Sequence, residues 1–348
     1  KLSLMFDTGF SGSIICDDNI NIGKATGTMT LRDFVGEFQA KTVKITSLKL
    51  GTKNVDPTDM EVVQQPAANM SFSYNTHTDG IMGFEVIRHN ITEINFENSK
   101  FIFHPPSYDI SKRTPDNKRT FLMKMLPMGH NSIEGEVVTP SGKKLILALD
   151  TGNAFFATTH KDVLVRTGLW ESGTSPKFMR SAFVASGEVA SWYKRMKDLT
   201  IFGVPVEESV WSIIDLPSSS AEGDGTVGYG FLRNFNVTID FDRRRVWLEN
   251  YAGGVTQEST AEVGITAAYD ARSKRVRVFR VAPDSPAQTA GVKVGDAVLS
   301  IDDEEMGSQS YRHLEKLLSG PAGSKVKLAL SRNGNLMRYE IERAELVN

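Results

Sequence analysis

Lys1-Leu2-Ser3-Leu4-Met5-Phe6-Asp7-Thr8-Gly9 and Lys144-Leu145-Ile146-Leu147-Ala148-Leu149-Asp150-Thr151-Gly152 are two copies of one device, an apolar strand that runs into Asp-Thr-Gly. A carboxylate at the end of an apolar strand is costly to bury alone. Its repetition suggests that the fold brings the two together. Two carboxyls sharing one site resist ionising together, so one keeps a proton while the other gives it up. Such a pair offers an acid and a base at the same pH. Amide hydrolysis needs both.

Working outward, each half carries a second matched element. Asp79-Gly80-Ile81-Met82-Gly83-Phe84 follows the first copy and Asp224-Gly225-Thr226-Val227-Gly228-Tyr229 the second, at nearly the offset of the Asp-Thr-Gly pair. Two motifs recurring in one order at one offset indicate an internal duplication. Each half then closes on a strand, Lys100 to His104 and Arg245 to Leu248. Most other segments read as short strands bounded by Gly, Asn, Asp or Pro. Val43 to Leu50 is expected as a strand with Leu199 to Phe202 as its counterpart, and a helix is expected from His160 to Thr167, stopped by Gly168. In the second half, strands at Phe121 to Leu126 and Glu134 to Thr139 precede the motif. Only six residues precede Asp7, so by symmetry the first half is expected to lack its first strands.

The geometry expected of the repeat is specific. Thr8 and Thr151 point inward and hydrogen-bond across the junction of the halves. Gly9 and Gly152 let the backbone turn so that its N–H groups reach the carboxylates. Ser11 is placed to donate to Asp7, whereas Ala154 in the matching position has no donor, so the two aspartates are expected to differ.

From about residue 254 the pattern changes. Lys274 to Val281 is a basic, alternating strand. Asp284-Ser285-Pro286 caps a short helix that ends at Gly291. A second helix is expected from Ser310 to Leu318, and Asn333-Gly334 is a tight hairpin turn between two final strands.

Composition narrows the function. The 348 residues carry a net charge of −2, with 40% hydrophobic and 24% charged residues, which disfavours a nucleic-acid or anionic-membrane partner. No apolar run is long enough to span a membrane. Cys16 is the only cysteine, which rules out an internal disulfide and a cysteine-based zinc site, and it is expected to pack as a small apolar group. The six histidines show no metal-ligand spacing; no metal and no cofactor is expected. Gly223 to Gly228 fits the dinucleotide fingerprint by letter, but Pro217-Ser218-Ser219-Ser220 stands where its strand should be, so it reads as a decoy.

The two Asp-Thr-Gly loops with Ile81-Met82-Gly83 and Thr226-Val227-Gly228 resemble the pepsin and retropepsin superfamily of aspartic proteases, over roughly residues 1 to 253. In that family an apolar-apolar-Gly segment crosses behind each catalytic loop, which makes Gly83 and Gly228 the behind-loop glycines. Gly230 to Phe235 is similar to the family's short helix before the last strand. The resemblance implies a mainly β, bilobal acid-protease β-barrel fold, with Asp7 and Asp150 catalytic and Thr8, Gly9, Ser11, Thr151 and Gly152 supporting them. Pepsin's flap tyrosine has no match between Gly23 and Gly51. Phe34 is the flap candidate there, and Trp192 and Tyr193 are the candidates on the matching hairpin.

Gly264 to about Val347 resembles a PDZ domain of the bacterial protease type, a fold that binds an extended peptide as an added strand. Gly264-Ile265-Thr266-Ala267 takes the place of its peptide-binding loop but departs from the usual Gly-apolar-Gly-apolar pattern. The organisation expected is residues 1–108 as the first lobe, 109–120 as linker, 121–253 as the second lobe and 254–348 as the PDZ domain. These resemblances imply an aspartic endopeptidase without cofactor, acting on peptide or unfolded protein, with a peptide ligand for the PDZ domain. The alternative is an inactive scaffold of the same fold. An exported, periplasmic bacterial location is implied by the family alone.

Overall fold

Eight short strands open the chain in the computed structural model: β1 (Leu4–Phe6), β2 (Ile14–Asp17), β3 (Ala25–Arg32), β4 (Glu37–Val43), β5 (Leu48–Leu50), β6 (Lys53–Val55), β7 (Val62–Gln65) and β8 (Gly80–Met82). The structure describes residues 1–33, 36–66, 77–110, 113–127, 132–171, 176, 178–184, 187–214, 216, 223–255, 261–270, 272–309 and 311–347. Six strands form a sheet in the order β1-β8-β2-β7-β4-β3. The sheet is mixed: β1–β8 and β2–β7 are parallel, and β2–β8, β4–β7 and β3–β4 antiparallel. The single strand expected over residues 43–50 is broken. β4 ends at Val43, and β5 pairs with β6 in a separate ribbon turned by Gly51 at φ +60°.

A one-turn helix α1 (Phe84–Ile87) follows β8 and leads into β9 (Ile91–Asn95) and β10 (Lys100–His104). The chain then crosses to β11 (Thr120–Lys124), β12 (Glu134–Val138), β13 (Lys144–Leu149) and β14 (Ala157–His160). Helix α2 (Lys161–Thr167) comes next, ended by Gly168 in the left-handed region at φ +76°. Strands β15 (Met179–Val184), β16 (Gly187–Ile201), β17 (Val204–Ile214) and β18 (Gly225–Val227) complete a second sheet, β12-β13-β18-β14-β17-β16-β15.

Set beside the first sheet, β13-β18-β14-β17-β16-β15 repeats β1-β8-β2-β7-β4-β3, with every pair in the same sense. The duplication read from two motifs therefore extends to the strand topology. β12 is the one described strand of the second sheet with no counterpart in the first. Helix α3 (Tyr229–Leu232) matches α1, and β19 (Phe235–Asp240) and β20 (Arg245–Asn250) match β9 and β10. These join across the repeat in one sheet, β10-β9-β19-β20-β11. One apolar cluster runs from Phe6, Phe84 and Ile94 of the first half to Leu149, Phe231 and Val237 of the second, so burial itself fuses the halves. Cys16 is buried in a smaller cluster with Ile14 and Val62, as expected of a small apolar group. Residues 109–120 are pinned to the shared sheet where described: Arg113 reaches Glu93, Thr238 and Glu249, and Trp247 Nε1 donates to its carbonyl.

The C-terminal part has its own core. It holds β21 (Ala261–Glu262), β22 (Ile265–Asp270), β23 (Arg275–Val281), α4 (Pro286–Ala290), β24 (Ala297–Ile301), β25 (Glu304–Glu305), α5 (Tyr311–Leu318), β26 (Lys325–Arg332), β27 (Asn335–Glu342) and β28 (Ala344–Glu345). The main sheet runs β22-β23-β24-β26-β27. Ser285 Oγ accepts from the Gln288 N–H at the head of α4, and Asn333 and Gly334 both take positive φ in the β26–β27 turn, as their residue types predict. The chain as a whole is mainly β.

Candidate active site

β1 and β13 each deliver an aspartate to the same place. β1 is held against β8 and β13 against β18, and the Asp7 and Asp150 N–H groups donate to Met82 and Val227 carbonyls at 3.0 Å each. The turns that follow wrap each carboxylate. Asp7 Oδ1 accepts from the Gly9 and Phe10 N–H groups at 2.8 and 3.1 Å, and Asp150 Oδ1 from those of Gly152 and Asn153 at 2.8 and 3.1 Å. The two side chains hydrogen-bond to each other. A Cβ on Gly9 would stand 2.6 Å from Asp150 Cγ, and one on Gly152 would stand 2.5 Å from Asp7 Cγ. Each glycine is the floor of the opposite carboxyl, and no other residue type leaves room for it.

The threonines lock the junction. Thr8 Oγ1 donates to Leu149 O and Thr151 Oγ1 to Phe6 O, both at 2.7 Å. Each hydroxyl also accepts from the other's backbone, Thr151 N to Thr8 Oγ1 at 3.0 Å and Thr8 N to Thr151 Oγ1 at 3.1 Å. Thr8 is 1% exposed and Asp150 7%. Every hydroxyl proton and both N–H groups are satisfied across the boundary between the halves, which fixes the carboxyls relative to each other.

Gly83 and Gly228 lie behind the loops. The Gly83 N–H donates to Ser13 O and that of Phe84 to Phe10 O, while Gly228 N–H donates to Phe156 O and Tyr229 N–H to Asn153 O. Neither glycine has positive φ. Their need is space, since a Cβ would strike Gly12 O and Phe10 in the first half and Phe155 O and Asn153 in the second.

The carboxyls titrate differently. Burial is the largest influence on both and raises both. Asp150 is pushed well above the ordinary carboxylate range, with the Asp7 charge adding to the effect. The two therefore titrate as one pair that retains a proton, the rise being the larger on Asp150. The expected source of the difference is corrected: Ser11 is exposed and makes no bond to Asp7, whose Oδ1 accepts from the Gly9 and Phe10 N–H groups instead. Sequence reasoning also passed over Asn153. Its amide donates to Thr158 Oγ1 and Thr226 Oγ1 and accepts from the Phe155 N–H, tying the second loop to β14 and β18. An Asn directly after Asp-Thr-Gly, with threonines on the flanking strands, was the available signal.

Of the flap candidates, Phe34 lies outside the described residues. Trp192 and Tyr193 sit low on the β15–β16 hairpin, paired across from Met179 and Phe178, not at its tip. Trp192 packs on Trp170, and Tyr193 lies edge-on to Phe178 and Phe155. Both fill the root of the hairpin. In the C-terminal part, Gly264 takes φ +84° with Ser285 against it, and Ile265, Thr266 and Ala267 begin β22, the end strand of its sheet. All three are buried. Among the described residues no helix is long and apolar enough to cross a membrane.

Residues 254–342 match the family model of the PDZ domain. Among curated proteins, a probable CtpA-like serine protease of Staphylococcus haemolyticus is 29% identical over 84 residues, 24% of this chain and 17% of that protein. The chloroplastic C-terminal processing peptidase of Tetradesmus obliquus is 35% identical over 80 residues, 23% of this chain and 17% of that protein. The matched stretches are about as long as the PDZ match and span 17% of either relative. Among solved structures, a photosystem II D1 C-terminal processing protease is 30% identical, covering 25% of this chain and 24% of that one at a TM-score of 0.24. A retropepsin-like aspartic protease from Rickettsia conorii is 13% identical, covering 37% of this chain and 98% of that one at a TM-score of 0.29. The expectation of an aspartic endopeptidase is corrected by these relatives: the curated proteins are named a serine protease and a C-terminal processing peptidase.

Proposed function

We propose that this chain is a protease that engages extended polypeptide through its PDZ domain, with Asp7 and Asp150 as its acid–base pair. The PDZ match and the peptidase names of the relatives support the general class. The observation that carries the residue assignment is the contact between two carboxyls, each held by a network that repeats on both sides. At one pH such a pair presents a donor and an acceptor to the same substrate group, which peptide hydrolysis requires. Threonine and glycine positions around it serve orientation, because a carboxyl displaced by about 1 Å loses much of its effect.

The test sets carboxyl chemistry against serine chemistry. Cleavage of unfolded casein is followed for the wild type, for Asp7→Asn and Asp150→Asn, and for the wild type labelled with a serine-directed fluorophosphonate. The expected result is a loss of about 10²–10⁴-fold in either asparagine variant and no loss on labelling. Full activity in both variants, or inactivation by the label, withdraws the pair and transfers the reaction to a serine.

A further inference from the structure

One end of the PDZ groove is contacted by a side chain from the preceding part of the chain. β22 ends its sheet, and α5 packs along it. These are the walls between which a PDZ domain receives an added strand. β15, from the second sheet of the preceding part, also approaches β22. From β15, Arg180 reaches across and pairs with Glu262, just before the Gly264 turn, at 2.6 Å, and with Glu315 on α5. Glu262 is bridged to Ser319 at the end of α5, so the two glutamates bracket the end of the groove nearest Gly264. Arg180 is 7% exposed and Glu262 2%. The guanidinium lies over the rings of Phe178 and Tyr193, 5.6 and 5.4 Å from their centroids.

The charges decide what this end of the groove accepts. A site for a free peptide carboxylate needs unopposed N–H donors or a cation. Here two glutamate side chains face one guanidinium, and both of its terminal nitrogens are committed to them. Without Arg180 the site keeps the Glu315 carboxylate and a buried Glu262 side chain with no cation against them. Glu262 Oε2 and Thr266 Oγ1 are buried and have no hydrogen-bond partner among the described residues. An acceptor-rich, enclosed pocket of this kind fits a planar multi-donor cation.

We propose that the groove of the PDZ domain selects an arginine side chain within an extended peptide, and that Arg180 fills that position in the unliganded chain as a built-in competitor. The proposal rests on the reading that the PDZ domain engages polypeptide. It does not depend on which residues perform hydrolysis. A substrate segment with arginine would enter by exchange, guanidinium for guanidinium, and would release β15 from the groove. The departure of Gly264-Ile265-Thr266-Ala267 from the usual carboxylate-binding pattern is consistent with this.

The test measures binding to the full chain by fluorescence anisotropy. The probes are labelled ten-residue Gly/Ser peptides carrying one internal arginine or one glutamine, each with a free or an amidated C-terminus. Arg180→Met keeps apolar bulk over Phe178 and Tyr193 while vacating the acidic pocket. The arginine peptides should bind this variant about ten- to hundredfold more tightly than the wild type, as expected for a charge-assisted bond to Glu315. The glutamine peptides should gain nothing, termini should make no difference, and adding Glu315→Gln should remove most of the gain. Arginine peptides that gain nothing, equal gains for arginine and glutamine, or a tenfold preference for the free carboxylate would each overturn it. Melting temperatures of the variants establish that each is folded, and Arg180→Lys, which keeps a cation in place, should reproduce the wild-type affinities.

Discussion

Asp7 and Asp150 show what a sequence can and cannot tell about a pair of groups. Their convergence was legible, because a charged residue at the end of an apolar strand is rare enough to be informative and its repetition doubly so. Their inequality was misattributed. The side-chain difference between Ser11 and Ala154 has no bearing on it, since each carboxylate takes the same two backbone donors. Depth and proximity set it instead, and neither is written in the local sequence. A stability effect follows. The folded-state pKa of Asp150 is raised above its unfolded value near 3.8, so ionisation of this group opposes folding. That cost is absent below about 3.8 and grows as pH rises towards the folded value. Asp150→Asn removes it while keeping an oxygen for the Gly152 and Asn153 N–H groups. The variant should melt higher than the wild type at pH 7, and the difference should vanish near pH 3. A wild type that is the more stable at pH 7 contradicts the assignment of the raised group.

At the scale of elements, glycine placement was the most readable feature. Gly83 and Gly228 were singled out from their motifs, and the structure supplies a reason for glycine there: carbonyls and side chains of the Asp-Thr-Gly loops occupy the space a Cβ would need. Gly228→Ala should therefore cost about 1–3 kcal/mol of stability, the range typical of overpacking, and should lower activity by shifting the Asn153 segment. Gly254→Ala, with nothing within 4 Å and no positive φ, should leave both unchanged. Thermal melts of the two variants side by side check the difference. The hairpin aromatics were harder to place. Trp192 and Tyr193 alternate along β16 as flap residues or core residues would, and only their partners Trp170 and Phe178 decide for packing. The broken strand after Val43 was missed for a similar reason: alternation in Val43 to Leu50 says which face is buried, not which strand is the partner.

For the whole molecule, the repeat could be read at a distance but the docking of the PDZ domain could not. The junction uses Phe178, Tyr193 and Val210 on one side and Ala282, Leu346 and Val347 on the other, with Arg195 reaching Glu345 and Val347 O. No period or motif links those positions. They meet only because two finished surfaces fit. Glu262 makes the junction sensitive to pH. Burial, its largest influence, lifts it to about 7 in spite of Arg180, from an ordinary 4.5. A carboxyl raised in this way favours the folded, docked arrangement fully below about 4.5, and that contribution is lost as pH climbs through about 7. The groups facing it are Arg180, Glu315 and Glu345. Glu262→Gln should flatten the fall of melting temperature between those two values, measured by calorimetry at half-unit steps. A profile with the wild-type slope would show that Glu262 is not the titrating group.

The crossed threonine bonds have one more implication. Since each hydroxyl ends on the opposite strand, neither half can finish its own loop, and the carboxyl pair belongs to their meeting alone. Two separately produced pieces, cut in the stretch between β10 and β11, would each lack the paired carboxyls, and if the proposed pair performs hydrolysis, cleavage would begin only on mixing, at a rate set by their encounter.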